Sequence, residues 1–280
     1  MQKFRSRSPV RAGGGPRGRV RGTALALCAV GLLCAQPVAG QLLVDPLEVV
    51  ISTSGAARVT GGFSLSNTSD VPVQATITRQ DWDRVENGDN RFLTPGSTGA
   101  SCGELLSATP VSLRIEPRSA RTVRLVVQGA AALTKECWDI FFVEEVPQRL
   151  GARGSSLQYV FRTGIKVYVM PPGLKHDAAI EDMTVEEAAA GSSPKRQISV
   201  RFHNIGGAHL IARGRLEFRR PDNTVAAEVQ INEFPTLPGA VRKLMLDVPS
   251  DLTNGEYVVL ALLDFGGAEL IAGQIELRVK

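Results

Sequence analysis

One five-residue segment has the spacing of a serine nucleophile. Residues 99–103 read GASCG, which matches the G-x-S-x-G pattern, in which a serine on a sharp turn between a strand and a helix attacks a carbonyl carbon. In this chain the segment lies in a loop rich in Gly and Pro, between Thr94 and Gly103, and no helical pattern follows it. We therefore interpret Ser101 as a loop residue, and the sequence predicts no catalytic residue.

The acidic and histidine side chains do not have the spacing of a metal site. Asp81 and Asp83 flank Trp82, but two carboxylates are fewer than a calcium loop provides. The three histidines are dispersed along the chain: His176, His203 and His209. They lack zinc-ligand spacing to a cysteine pair, and we interpret His203 and His209 as structural residues. The sequence therefore predicts no metal, no cofactor and no enzyme activity.

The positive charge of the chain is concentrated at its amino terminus. The whole chain has 32 Lys and Arg against 28 Asp and Glu, a formal charge of +4. Seven of the basic residues and none of the acidic ones lie in residues 1–40, so residues 41–280 have 25 basic against 28 acidic residues and a charge of −3. This mild acidity argues against nucleic acid as a partner.

Residues 1–40 have the order of a secretory signal peptide. A basic segment precedes an apolar stretch at residues 23–35, which is shorter than the ~20 residues that span a bilayer. Small residues at 38–40 offer a cleavage site, so the mature chain is predicted to begin at Gln41. No later segment has the length and apolar character of a membrane span, and we expect an exported protein.

Cys102 and Cys137 are the two cysteines that remain after such a cleavage. An even pair in an exported protein is most simply one disulfide. On the chain-entropy model, closing a loop of this length stabilises the fold by roughly 4 kcal/mol. Two free thiols are the alternative, which an oxidising compartment disfavours.

Short apolar or alternating runs follow one another along residues 42–170, separated by Gly, Pro, Asn and Asp. They predict seven strands: Leu42–Ser52, Ala57–Asn67, Val73–Asp81, Val111–Glu116, Thr122–Gln128, Trp138–Val146 and Leu157–Met170. Short strands joined by turns without intervening helices are typical of an antiparallel β-sandwich.

Pro171, Pro172 and Gly173 interrupt this series, so we predict one domain over residues 41–172 and a second over 173–280. Six further strands are predicted in the second domain: Gln197–Asn204, His209–Arg219, Val225–Phe234, Arg242–Val248, Glu256–Asp264 and Glu269–Val279. One segment, Ala179–Ala190, has a helix-compatible composition. The predicted fold class is all-β with two sandwich domains.

Five segments between residues 42 and 171 are more specific to one protein family than the strand pattern is. In chain order they are residues 63–74 (FSLSNTSDVPVQ), 109–117 (TPVSLRIEP), 121–125 (RTVRL), 138–147 (WDIFFVEEVP) and 157–171 (LQYVFRTGIKVYVMP). Together they resemble the N-terminal domain of PapD-like periplasmic pilus and fimbrial assembly chaperones, and the second domain resembles that family less. The resemblance implies two immunoglobulin-like β-sandwich domains with a cleft between them.

The resemblance implies a periplasmic chaperone that binds exported β-rich subunits of surface fibres. The last strand of its N-terminal domain would complete the subunit's fold by β-augmentation; whether an outer-membrane usher takes part stays open. Leu157, Tyr159 and Phe161 fall on one face of that strand, as donor residues require. The alternative is that these side chains pack in the chain's own core.

Two basic residues in the family's cleft anchor the carboxylate at the end of the subunit. Lys166 corresponds to one of them, whereas the position matching the other is Glu48. Glu48 is therefore a possible cleft partner that could pair with Lys166 and leave no cation for a carboxylate. Alternation also places Lys166 on the face opposite Phe161. An exported structural or adhesive scaffold without chaperone activity is the alternative function.

Overall fold

The computed structural model describes residues 42–146, 160–188 and 195–280. These residues contain two short 3₁₀ turns, Gly103–Leu105 and Ala130–Ala132, and no α-helix. Their strands are β1 Leu42–Asp45, β2 Glu48–Ser52, β3 Arg58–Asn67, β4 Val73–Arg84, β5 Asn90–Leu93, β6 Leu106–Thr109, β7 Ser112–Ile115, β8 Ala120–Gln128, β9 Cys137–Glu145, β10 Arg162–Met170, β11 Ala178–Ala188, β12 Lys195–Asn204, β13 Leu210–Arg219, β14 Val225–Thr236, β15 Val241–Asp247, β16 Gly255–Asp264 and β17 Ile271–Val279. None of the described helices has the length and apolarity to cross a membrane.

The first ten strands form a sandwich of two sheets. One sheet has the order β1-β3-β8-β6, and the other has the order β2-β10-β9-β4-β5 with β7 paired to β4. Alternate residues of these strands point inward, as Phe63 and Leu65 of β3 and Val123 and Leu125 of β8 show by their nearly complete burial. This alternation is the period-two pattern from which the strands were predicted.

The segment predicted as one strand over residues 42–52 is two strands in different sheets. Pro46 separates β1 from β2, and proline has no N–H to donate to a sheet. β1 pairs with β3 in one sheet, whereas β2 pairs in parallel with β10 in the other. The prediction of one continuous strand is therefore wrong, and the crossing brings Glu48 beside β10.

The remaining strands form a second sandwich, with sheets β11-β12-β15 and β14-β13-β16-β17. Its core contains Phe202, Leu216 and Phe218, which are completely buried. β11 occupies most of the segment with helix-compatible composition and pairs along its length with β12, so residues 179–188 form a strand. Helix propensity is a weak local preference, and the pairing with β12 outweighs it.

The fold confirms an all-β chain with two sandwiches. Among the described residues, strands β1–β10 and β11–β17 pair only within their own groups; the exact division after Pro172 stays a prediction. Cys102 and Cys137 form a disulfide with Cα atoms 5.0 Å apart, so the preferred interpretation of these cysteines is confirmed. The predicted signal peptide lies outside the described residues.

Candidate functional site

One edge of β10 is only half paired. On one side β9 runs antiparallel to it from Arg162 to Val169, and on the other side β2 pairs in parallel only from Lys166 to Met170. Within the described residues, the segment from Arg162 to Ile165 therefore has no strand on the β2 side. Unpaired N–H and C=O groups along a strand edge are a template for pairing with another chain.

Phe161 immediately precedes the open edge of β10 in the chain. Its side chain is half-buried, and its carbonyl oxygen accepts a hydrogen bond from the Glu145 amide at 3.2 Å. Leu157 and Tyr159, the other predicted donor residues, lie outside the described residues. Phe161 is thus partly covered by its own domain and partly available to a partner.

Side chains along β10 alternate between two environments. Ile165, Val167 and Val169 lie in the core of the first sandwich, whereas Lys166 and Tyr168 lie on the outer face of their sheet, beside Trp82. The register with β9 is unbroken, so no bulge within β10 moves Lys166 to the core-facing side.

Lys166 is half-buried on this outer face. Its Nζ lies 5.0 Å from the centroid of the Trp82 ring, a distance at which a cation is attracted to the electron-rich face of the indole. Burial lowers the pKa of Lys166, the neighbouring Arg84 charge lowers it further, and Glu48 opposes both effects. Lys166 therefore lies in the electrostatic field of one cation, Arg84, and one acid, Glu48.

Glu48 lies directly beside Lys166 in the parallel pairing of β2 with β10. Its side chain is exposed, and within the described residues it forms no ion pair of 4.0 Å or less with Lys166. The alternative in which Glu48 neutralises Lys166 by direct pairing is therefore not observed.

Aromatic side chains form the surface on which Lys166 rests. Trp82, Trp138, Phe142 and Tyr168 belong to one buried cluster, which Leu237 of the second sandwich completes. The indole N–H of Trp138 donates to the Trp82 carbonyl at 2.9 Å, and the Tyr168 ring packs edge-on to Trp82 at 6.1 Å. This cluster fixes the outer face at the junction of the two sandwiches.

Polar contacts on two sides of this cluster join the sandwiches. The turn between β4 and β5 places the Glu86 carboxylate on the Arg201 guanidinium at 2.7 and 3.1 Å. On the other side the buried Glu136 accepts the His209 amide at 2.6 Å and also contacts Nδ1 of that ring. The His209 ring stacks on Tyr168, with centroids 4.0 Å apart, so His209 has a structural role, as predicted.

The segment with the nucleophile pattern is held by buried acids. The Ser101 hydroxyl lies 2.8 Å from one oxygen of Asp81 and 3.1 Å from one of Asp139. Asp81 also accepts hydrogen bonds from the amides of Gly96 and Thr98. Ser101 therefore links two buried carboxylates and holds its loop in place, and no histidine contacts its hydroxyl within the described residues.

These features define a two-sandwich protein whose first sandwich ends in a strand with an open edge. Residues 48–175 match the family described as pili and flagellar-assembly chaperone, PapD N-terminal domain. This match agrees with the resemblance predicted from the sequence.

A probable fimbrial chaperone of Escherichia coli strain K12, YadV, is 29% identical over 159 residues, which are 49% of this chain and 65% of the relative. The chain thus spans just under two thirds of that relative. The class 5 fimbriae chaperone CfaA is similar in structure, with a TM-score of 0.50 and 11% identity over 85% of this chain and 99% of that one.

A chain of a chaperone–tip adhesin complex in CFA/I fimbriae biogenesis has the same TM-score of 0.50, with 12% identity over 84% of this chain and 98% of that one. At such low identity these likenesses show the fold alone. They agree with the two sandwiches described above.

Two participants in the site were not predicted from the sequence. In the sequence, Trp82 is only the residue between two acids, and Arg84 belongs to no motif. Alternation along β4 does place both on one face of that strand. What the sequence lacks is any signal that this face lies against β10 and the second sandwich.

Proposed function

We propose that this protein is a periplasmic chaperone that binds an incomplete subunit of a surface fibre and completes it through the edge of β10. The observation that carries the proposal is the open edge from Arg162 to Ile165, in a domain of the pilus-chaperone family. No catalytic residue is required, because the function is binding. A second partner in this proposal could be an outer-membrane usher.

Strand addition supplies both affinity and selectivity. Main-chain hydrogen bonds along the open edge bind any suitable strand, and alternate side chains fill pockets in the partner. Phe161 is the described member of the proposed donor series, with Leu157 and Tyr159 preceding it. Lys166 lies where the open edge ends and offers a cation to the bound chain.

The proposal is tested by Phe161→Asp. We expect loss of the complex with a coexpressed fibre subunit, because a carboxylate cannot enter an apolar pocket without losing several kcal/mol. The melting temperature should change little, because Phe161 is only half-buried. Size-exclusion chromatography of periplasmic extracts measures the complex, and thermal unfolding measures stability.

Val160→Asp is the matched control, since Val160 is the adjacent residue and is 56% exposed. It should retain the complex. A large fall in melting temperature for Phe161→Asp would place Phe161 in the chain's own core and contradict the donor role. Recovery of the wild-type protein only alone or as homopolymers would favour the scaffold function.

A further inference from the structure

The disulfide between Cys102 and Cys137 lies next to the junction of the two sandwiches. Both cysteines are buried, with 3% and 6% of their surfaces exposed. Cys137 is the first residue of β9 and directly follows Glu136, the buried carboxylate that contacts His209 of the second sandwich. The bond is therefore one residue away from a contact that joins the sandwiches.

The loop that carries Cys102 is fixed from within the first sandwich. The Asp81 carboxylate accepts the amides of Gly96 and Thr98 at 3.1 and 2.9 Å. It also accepts the Ser101 hydroxyl at 2.8 Å. Asp81 is completely buried, and hydrogen bonds to a buried charge are costly to break. Cys102 thus has a firm position that does not depend on the second sandwich.

The segment that carries Glu136 has much less support of its own. Residues 133–136 lie between the second 3₁₀ turn and β9 and belong to no strand. Cys137 is at the end of the pairing between β9 and β10, opposite Val169, and the ends of elements open most readily. The disulfide joins this weakly held end to the fixed loop and so transmits the position of the loop to Glu136.

A second connection runs in the same direction. The Trp138 amide donates to the Ala100 carbonyl of the fixed loop at 2.9 Å. Ala100 also packs against the aromatic cluster that Leu237 of the second sandwich completes. Residues on both sides of the bond therefore reach the surface on which the second sandwich docks.

We propose that the Cys102–Cys137 disulfide positions the junction of the sandwiches, so that oxidation of these two thiols must precede subunit binding. Without the bond the first sandwich keeps its fold, because its core extends over both sheets and a domain of this size does not depend on one bridge. Glu136 then loses its fixed position, and the second sandwich docks in only part of the molecules. The consequence for subunit binding rests on the proposed function.

Formation of the bond removes two protons and two electrons from the two thiols. In thiol–disulfide exchange both pass to the disulfide of an oxidising exchange protein or of oxidised glutathione, which becomes two thiols. Because both cysteines are buried in the folded sandwich, the exchange must occur before the sandwich closes. Oxidation thus comes first, followed by closure of the first sandwich, docking of the second and binding of a subunit.

The test compares the chain refolded from urea with oxidised glutathione, the same chain refolded in excess dithiothreitol, and the double variant Cys102→Ala, Cys137→Ala. Trp82 and Trp138, the two tryptophans of the chain, lie in the aromatic cluster at the junction, so quenching of their fluorescence by acrylamide reports its opening. We expect both forms without the bond to show stronger quenching and a less compact small-angle scattering profile, with their β circular dichroism retained.

Subunit binding should weaken in parallel. If about one molecule in ten keeps the docked arrangement, the apparent affinity for a coexpressed subunit falls about tenfold. Dithiothreitol added to the folded, oxidised protein should leave the bond intact, and rapid reduction there would refute the proposed order of events.

Val123→Ala is the matched control, since Val123 is completely buried in β8 of the other sheet. It should lower the melting temperature and leave quenching and scattering unchanged. A second comparison places the effect at Glu136: in a Glu136→Gln background, loss of the bond should add little further quenching, because both changes act on one contact.

Unchanged quenching and scattering in a folded protein without the bond would overturn the proposal. An equal increase in quenching for Val123→Ala would also overturn it, because the effect would then be a general loss of stability. Loss of β circular dichroism without the bond would do the same, since the bond would then hold the first sandwich itself. Quenching and scattering need no subunit, so they decide the positioning role even if the oxidised protein captures none, a result that would refute the proposed function alone.

Discussion

At the scale of single residues, the most unusual group is Asp139. Its side chain is fully buried, and burial raises its pKa to about 7, although the Arg79 charge and a hydrogen bond with Ser101 oppose the shift. Burial would also raise the pKa of Asp81, but hydrogen bonds from Thr98, Ser101 and Gly96 hold it below its usual value. Ser101 has one hydroxyl proton for two carboxylates, so a protonated Asp139 can donate to Ser101 while Ser101 donates to Asp81.

Asp139→Asn should change how stability depends on pH. The folded-state pKa of about 7 lies above the ordinary value of 3.8, so the folded protein holds a proton that the unfolded chain releases between these values. Stability should therefore fall as pH rises through this window, by up to about 1.4 kcal/mol per pH unit. The neutral amide cannot ionise, so the variant should lose this slope in urea unfolding measured from pH 4 to 7.

Asp83→Asn is the control for this measurement. Asp83 is paired with Arg91 near the surface, and its replacement should leave the slope in place. Persistence of the full slope in Asp139→Asn would show that Asp139 is ionised in the folded protein throughout this range.

At the scale of elements, the turn between β4 and β5 links the site to the second sandwich. Its Glu86 carbonyl accepts the Lys243 amide at 2.8 Å, and Gly88 has a φ of +96° in the left-handed region. A Cβ on Gly88 would lie 2.2 Å from the Arg242 guanidinium. Gly88 therefore provides both the turn and the space into which Arg242 fits.

Gly88→Ala should destabilise the protein more than Gly96→Ala. Both glycines have positive φ, at +96° and +79°, but a Cβ on Gly96 would meet no atom within 4 Å. Each substitution should cost on the order of 1 kcal/mol for the backbone conformation, and Gly88→Ala should cost more because Arg242 must move. Chemical unfolding of the two variants measures the difference, and equal losses would mean that Arg242 moves away without cost.

Most strands could be predicted from the sequence, because side-chain alternation and turn residues depend on near neighbours in the chain. β3, β8, β9 and β16 lie close to their predicted bounds. The patterns failed where contacts between residues distant in the sequence determine the local structure. β11 has a helix-compatible composition but pairs with β12. The candidate site follows the same rule, since Lys166 was predicted from the resemblance of residues 157–171 to the family, whereas Arg84 and Arg242 approach each other only through the packing of the two sandwiches.

At the scale of the whole molecule, the buried carboxylate of Glu136 joins the two sandwiches. Its side chain is fully buried, it accepts the His209 amide at 2.6 Å, and its partner ring rests on Tyr168, next to Lys166 in β10. A carboxylate that accepts two buried hydrogen bonds contributes more than a neutral group does. The contact thus connects β10 to the second sandwich.

Glu136→Gln should loosen this junction. The neutral amide accepts only at its single oxygen, so at least one of the two charge-assisted contacts with His209 is replaced by a weaker neutral one, at a cost of roughly 1–3 kcal/mol. We expect a lower melting temperature and a small-angle scattering profile that indicates greater freedom between the sandwiches. Subunit binding should weaken as well, because the His209 ring stacks on Tyr168 of β10, the strand proposed to bind the subunit.

Glu181→Gln separates this effect from a general loss of stability. Glu181 contacts His203 at 2.7 Å within the second sandwich, so its replacement should leave the scattering profile unchanged even if the melting temperature falls. A Glu136→Gln protein with an unaltered profile and full subunit binding would mean that the contacts of Glu86 hold the sandwiches together without Glu136. In that case the turn between β4 and β5, rather than Glu136, would set the position of β10 relative to the second sandwich.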